Sequence, residues 1–314
     1  MKKLKLIVFL FCFGSFIATI EAQNFNEDTL VIDKYTEGNL VTPKKEKATA
    51  LVIFIQGSGP TNRDGNSPQG MGNKSDFAKK IAHQLAKKGI ASFRFDKRTF
   101  KMQELNLKTI SFDDFITDVK NILSYFKKEG NFSKYIIAGH SQGSLIGMLA
   151  AKDNADAFIS LAGAGESIDN ILVEQFSKPI PSVKGALRKS FDELKQHGRT
   201  ENYPTLFASF FTPGSQDFLA SWIKYNPSEE IAQLELPVLI INGTRDLQVQ
   251  ETQAKILHKA APNSELVLLK DMNHIFREII EAEKDQNVAS YNKPQKPLHP
   301  EIILVLTDFI KNLK

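Results

Sequence analysis

Tyr135-Ile136-Ile137-Ala138-Gly139-His140-Ser141-Gln142-Gly143-Ser144-Leu145-Ile146-Gly147-Met148-Leu149-Ala150-Ala151 is the stretch on which the reading of this chain turns. A short apolar run ends at Ala138, the pentapeptide Gly-His-Ser-Gln-Gly follows, and an apolar helical run begins at Ser144. Gly-x-Ser-x-Gly alone is a weak pattern. Between a strand and a helix it becomes a nucleophile elbow, a sharp turn that lifts a serine hydroxyl clear of the sheet. The glycines are needed because a side chain at either place would collide with the neighbouring strand or helix. The helix after the turn aims its N-terminus at the serine, so partial positive charge lies where an oxyanion would form.

The flanking elements alternate. Leu51-Val52-Ile53-Phe54-Ile55 is a continuous apolar run, expected of a strand covered on both faces, and it enters the turn-rich stretch 56–65. A helix is predicted from Asp76 to Lys88, capped by Ser75, with Phe77, Ile81 and Leu85 on one face and Gly89 as its stop. The strand Ile90–Phe95 follows, then a helix opened by Ser111 with Asp114 three residues on, and closed by Gly130. After the elbow come strands at 157–161, 237–241 and 265–269, with a helix from Thr252 to about Ala260 and a last one opened by Pro300. Two short runs, 29–32 and 39–42, predict an antiparallel hairpin ahead of this series. The order predicts an α/β fold with a mostly parallel sheet and helices on both faces. From about 166 to 234 the rhythm breaks into helical stretches rich in aromatics, read as a helical cap inserted into one domain spanning 23–314. The polar, proline-bearing stretch 284–297 reads as a surface loop.

The chain of 314 residues is 42% hydrophobic and 24% charged, enough to bury a large core. Its start, Met1-Lys2-Lys3-Leu4-Lys5, is basic and leads into an apolar run from Leu6 to Ile20, short of the ~20 residues a membrane span needs. With Ala22 as a small residue at its end, residues 1–22 read as a signal peptide, and the expected location is periplasmic or secreted, with no stable membrane span after processing. Cys12, the single cysteine, lies inside that segment, so the mature chain has no disulfide, thiol nucleophile or cysteine metal site, and no metal site is assigned. It would carry 37 basic against 35 acidic residues without a basic block, which gives no case for a nucleic-acid partner.

A serine hydroxyl is a poor nucleophile at neutral pH and needs a base beside it, itself oriented by a third group. Asn242-Gly243-Thr244-Arg245-Asp246 follows the strand at 237–241, and Asp271-Met272-Asn273-His274 follows the strand at 265–269. Ser141, Asp246 and His274 therefore fall at carboxyl ends of parallel strands, where open α/β sheets build their sites. His274 would take the Ser141 proton, and Asp246 would hold its tautomer. Asp271 competes for the acidic role but stands too near His274 in sequence to reach around it. An oxyanion hole needs two converging N–H groups. Gln142 supplies one by following the nucleophile, and Ser58, with Gly59 second, supplies the other from the loop after 51–55.

On these blocks the chain resembles the α/β-hydrolase superfamily, from about Leu51 to the C-terminus. Gln56-Gly57-Ser58-Gly59-Pro60-Thr61-Asn62-Arg63-Asp64-Gly65 looks like the Gly-Ser-Gly-Pro…Arg-Asp-Gly loop of bacterial serine carboxylesterases. The elbow, Gly243-Thr244-Arg245-Asp246 and Asn273-His274-Ile275-Phe276 are similar to the matching blocks of that group. The resemblance implies hydrolysis of a small-molecule ester or thioester through an acyl-enzyme, with no cofactor. One departure is Asp96-Lys97-Arg98-Thr99-Phe100-Lys101, where relatives carry Asp-x-Arg-Gly and a further glycine. Asp96, Arg98, Arg63 and Asp64 read as loop-fixing ion pairs. Within the cap, Phe207, Phe211 and Trp222, with Phe210 and Phe218, would line an apolar acyl pocket for short to medium chains or form the cap's own core.

Two other functions use the same residues differently. A serine peptidase releasing N-terminal residues would want an acidic group in the cap, for which Glu166, Glu174 and Glu193 are available. A non-catalytic binding protein on this fold would typically have lost a member of the triad, and all three are present here. A dehalogenase would carry an aspartate where Ser141 stands.

Overall fold

The computed structural model describes residues 24–69, 73–152, 155–281 and 283–314, so the expected signal peptide lies outside the described residues. Eight strands form one sheet: β1 (Phe25–Val31), β2 (Glu37–Pro43), β3 (Ala50–Ile55), β4 (Ala91–Phe95), β5 (Lys134–His140), β6 (Ala157–Leu161), β7 (Val238–Gly243) and β8 (Glu265–Leu269). Their spatial order is β1-β2-β4-β3-β5-β6-β7-β8. β1 and β2 form the antiparallel hairpin and β2 runs antiparallel to β4, whereas all the others pair in parallel. Every residue of β3, β4, β6 and β7 is buried, which is why these strands read as unbroken apolar runs.

Helices cover both faces. α1 (Phe77–Ala86) and α10 (Ile302–Asn312) set Phe77, Ile81, Leu85, Leu306 and Ile310 against one side of the sheet. α2 (Phe112–Glu129), α3 (Gln142–Ala151) and α8 (Glu251–Ala260) cover the other. α2 starts on a capping box, with Ser111 and Asp114 satisfying each other's backbone N–H groups, and ends at Gly130 with φ 66°. Before α1 the left-handed residue is Asp76, and Asn66 Oδ1 accepts the amides of Ser75 and Asp76, so Ser75 does not serve as the cap. All ten residues of α3 are buried, and Gly147 lets it close on Phe158 of β6 and Ile137 of β5.

Between β6 and β7 lie α4 (Ile168–Ser177), α5 (Lys184–His197), α6 (Pro213–Ile223) and α7 (Pro227–Ile231). The first three enclose a small core of their own around Leu187, Phe191, Phe211 and Leu219. The stretch 284–297 is not a plain surface loop: α9 (Lys284–Ala289) runs into a 3-10 turn, with Asn287 and Ser290 buried. Proline and charge masked a polar anchoring role that no apolar period could signal. Among the described residues, no helix is long and apolar enough to cross a membrane.

Candidate active site

Register brings the site together. Ile55 at the end of β3 pairs with Gly139, His140 with Leu161, Leu161 with Ile241, and Gly243 with Leu269. The loops after β3, β5, β7 and β8 therefore leave the sheet at one edge, as parallel pairing requires. Ser141 stands first among them, with φ 54° and ψ −119°, outside both the helical and the extended regions. Its amide donates to the Leu161 carbonyl at 2.9 Å and its own carbonyl accepts from Ser144, so the turn is held at both ends. A Cβ on Gly139 would strike the Gly143 carbonyl, and one on Gly143 would strike the carbonyls of Ile55 and Gln56. Both glycines are sterically required.

His274 Nδ1 donates to Asp246 Oδ2 at 2.7 Å, and the two side chains are buried. The other oxygen of Asp246 accepts the amides of Gln248 and Val249 at 2.8 and 2.9 Å, which fixes the carboxylate as an acceptor. Asp271 faces away and pairs with Arg245 at 3.1 Å. With Nδ1 committed, Nε2 is the nitrogen left to His274 for exchange with a hydroxyl. Beside it lies His140, whose ring centroid is 4.6 Å from that of His274 and whose Nε2 donates to the His274 carbonyl at 2.9 Å. Burial, with the neighbouring His274 acting in the same direction, holds the pKa of His140 well below the usual histidine value, so this ring is a neutral support.

A polar scaffold fixes the two loops to each other. Asn273 donates to Asn287 Oδ1 and Ser290 Oγ, both at 2.9 Å, and accepts the amides of Ile275 and Arg277. Asn287 in turn donates to the Arg245 carbonyl at 2.7 Å, next to Asp246. Sequence reasoning missed Asn287 and Ser290 because their partners lie in other segments.

The loop expected to carry the second oxyanion donor has a comparable frame. A Cβ on Gly57 would lie 3.2 Å from the Ser141 side chain, so the 57–59 loop runs directly against the elbow. Ser58, Gly59, Ser141 and Gln142 all line one cavity of about 590 Å³. Gln142 is the first residue of α3, where an amide has no intrahelical acceptor. Arg63 ties this loop to Asp96 at the end of β4 and to Glu37, and Arg94 pairs with Glu27 and Asp64. Arg98 grips Asp118 of α2 through two bonds of 2.7 and 2.8 Å. These charges fix loops, as their placement in the sequence suggested.

Comparison with known proteins agrees with this arrangement. Residues 68–207 match the family described as serine aminopeptidase, S33. A curated relative, "Esterase EstD" from Thermotoga maritima, is 24% identical over 263 residues, which cover 82% of this chain and 61% of that protein. The chain thus spans about three fifths of the length of the curated relative it matches. Among solved structures, Est1E from Butyrivibrio proteoclasticus superposes with a TM-score of 0.55 at 16% identity, covering 91% of this chain and 99% of its own. An esterase of Pyrococcus furiosus gives 0.56 at 13% identity, with 93% and 91% covered. An acylaminoacyl peptidase of Pyrococcus horikoshii gives 0.56 at 14% identity, with 93% and 42% covered.

The chain has the α/β-hydrolase fold.

The walls of the cavity correct part of the sequence reading. Trp222 lines it, joined by Phe210 and Phe218, with Ile168 and Leu172 of α4 and Leu145 of α3. Phe207 and Phe211 do not line it. Phe211 is buried in the cap's own core and stacks on Tyr203, and Phe207 stacks on Phe176. Aromatics this close in sequence point in different directions on a helical turn, and only the packing partner decides which face the cavity. Glu166 also lines it, whereas Glu174 bonds Lys184 at the surface and Glu193 bonds Thr200 and Asn202. Lys97, passed over in the sequence reading, lies in the wall as well.

Proposed function

We propose that this chain is a serine carboxylesterase acting on small-molecule esters of short to medium acyl chains through an acyl-enzyme on Ser141. The observation that carries this is the placement of a serine in a strained elbow at the wall of an apolar cavity, with a histidine oriented by a buried carboxylate at neighbouring strand ends. In this reading Ser141 Oγ attacks the ester carbonyl while His274 Nε2 takes its proton. The carbonyl oxygen gains negative charge and is met by the amides of Gln142 and Ser58. His274 then returns the proton to the departing alkoxide, and water repeats the sequence to release the acid. The similarity to proteins named as esterases supports the same chemistry. The basic and apolar start of the chain adds the expectation that residues 1–22 are removed on export, which N-terminal sequencing of the secreted protein would test.

The test is hydrolysis of a p-nitrophenyl ester series, acetate to decanoate, by the protein and by Ser141→Ala. Expected is activity with a chain-length optimum that disappears in the variant. Activity that survives in Ser141→Ala, or its absence on every ester, would overturn the reading. One side chain favours a second reading, release of an N-terminal residue from a peptide. Glu166 brings a carboxylate to the cavity, where it accepts from Gln253 Nε2 at 2.6 Å and could meet a substrate amine. Ser141-dependent turnover of aminoacyl p-nitroanilides, lost in Glu166→Gln, would select it.

A further inference from the structure

Lys97 is out of place by ordinary rules. It sits two residues past β4, is 3% exposed, and among the described residues its amino group bonds only uncharged acceptors. An ammonium in such a position is unfavourable, and a residue that merely filled space there could be methionine. Its contacts explain what it does. Nζ donates to the Gly57 carbonyl at 2.6 Å and to the side-chain oxygen of Gln142, and it lies 4.5 Å from the centroid of the Phe115 ring. The Gly57 carbonyl and the Ser58 N–H belong to one planar peptide unit, so fixing the first direction fixes the second. Gln142 carries the other donor. One buried amino group therefore ties the Gly57–Ser58 peptide to the side chain of Gln142, the residue proposed to carry the other N–H donor, although the two come from loops on different strands.

We propose that Lys97 is a positioning residue that clamps both halves of the oxyanion hole to each other. It also polarises the Gly57–Ser58 peptide, so that its N–H donates more strongly as charge builds on the substrate oxygen. Lys97 acts through these two groups, not on the reacting atoms. Two of its three protons are committed to protein acceptors, which leaves it unsuited to act as a base or to seat a substrate anion. The proposal rests on the reading of Ser141 as the nucleophile of ester hydrolysis.

Lys97→Met keeps the stem and removes the donors. Expected is a fall in kcat of roughly 10- to 100-fold with KM changed less than about twofold, the pattern of an interaction made only in the transition state. An alkyl trifluoromethyl ketone, which forms a charged hemiketal on Ser141, should bind more weakly in proportion to the lost kcat. The corresponding alcohol, which fills the same cavity without forming an oxyanion, should bind as before. Gln142→Met, which cuts only one arm, should lose less, and the double variant should lose less than the product of the two single losses. An unchanged kcat in folded Lys97→Met would overturn the clamp. So would equal weakening of ketone and alcohol, or losses that simply multiply. Should Lys97→Met fail to fold, the ketone-to-alcohol comparison in Gln142→Met decides, and an unaltered ratio there overturns it. If the wild type hydrolyses no ester, the proposed function and the clamp fall together, whereas an active wild type with an unaffected variant sinks the clamp alone.

Discussion

At Ser141 a φ of 54° is held by the amide bond to Leu161 and by the absence of a Cβ at residues 139 and 143. Gly139→Ala should therefore destabilise the protein by about 3 kcal/mol or more, read by urea unfolding, because backbone rather than a flexible side chain lies in the way. Asp246→Asn tests a different quantity. Its amide oxygen can still accept from Gln248 and Val249, so stability should hold, but its NH₂ group would face His274 Nδ1 and force the wrong tautomer. A loss in kcat of about 10,000-fold with an unshifted melting temperature is expected. Lys97 adds a pH signature. Burial pushes its pKa from 10.5 down to about 7. Above about pH 7 the unfolded chain binds the proton that the folded chain has released, so stability rises with pH up to about 10.5. Relative to Lys97→Met, the wild type should gain on the order of 1–3 kcal/mol between about pH 7 and about pH 9, measured as a double difference in urea unfolding. A flat difference would mean that the ammonium is not held away from water.

Among the elements, the strands and the helices packed on them were legible because burial on both faces leaves an apolar run and burial on one face leaves a helical period. β3, β6 and β8 fall within a residue of where their apolar runs predict them. α9 was not legible. Its job is to present Asn287 and Ser290 to Asn273, and hydrogen-bond partners far apart in the chain leave no periodicity. The cap shows the same limit, since composition alone could not sort its aromatics into core and cavity. Two substitutions separate these roles. Phe211→Ala removes a ring 1% exposed in the cap core and should cost about 3–5 kcal/mol in stability while leaving chain-length preference unchanged. Phe218→Ala enlarges the cavity wall and should shift the preference toward longer acyl chains, read from the p-nitrophenyl series.

Across the molecule, cap and sheet domain meet where α6 crosses α2. Trp222 stacks on Phe112 with centroids 5.3 Å apart, Ser221 accepts the Phe112 amide, and Lys224 and Tyr225 both bond Asp113. Trp222 is the single tryptophan of the chain and lines the cavity, so its fluorescence reports occupancy of the site. Adding a medium-chain fatty acid to Ser141→Ala should shift the emission to shorter wavelength as water leaves the ring, and acetate should not. The α/β class, the order of strands along the chain and the candidacy of Ser141, Asp246 and His274 were legible in the sequence itself, since burial and backbone geometry act locally and leave local marks. Which aromatics face the cavity, how Asn287 braces the histidine loop and which groups Lys97 bonds were decided only by the tertiary structure. Each depends on a partner from another segment, and nothing in the linear order of residues says which distant groups will share one hydrogen bond.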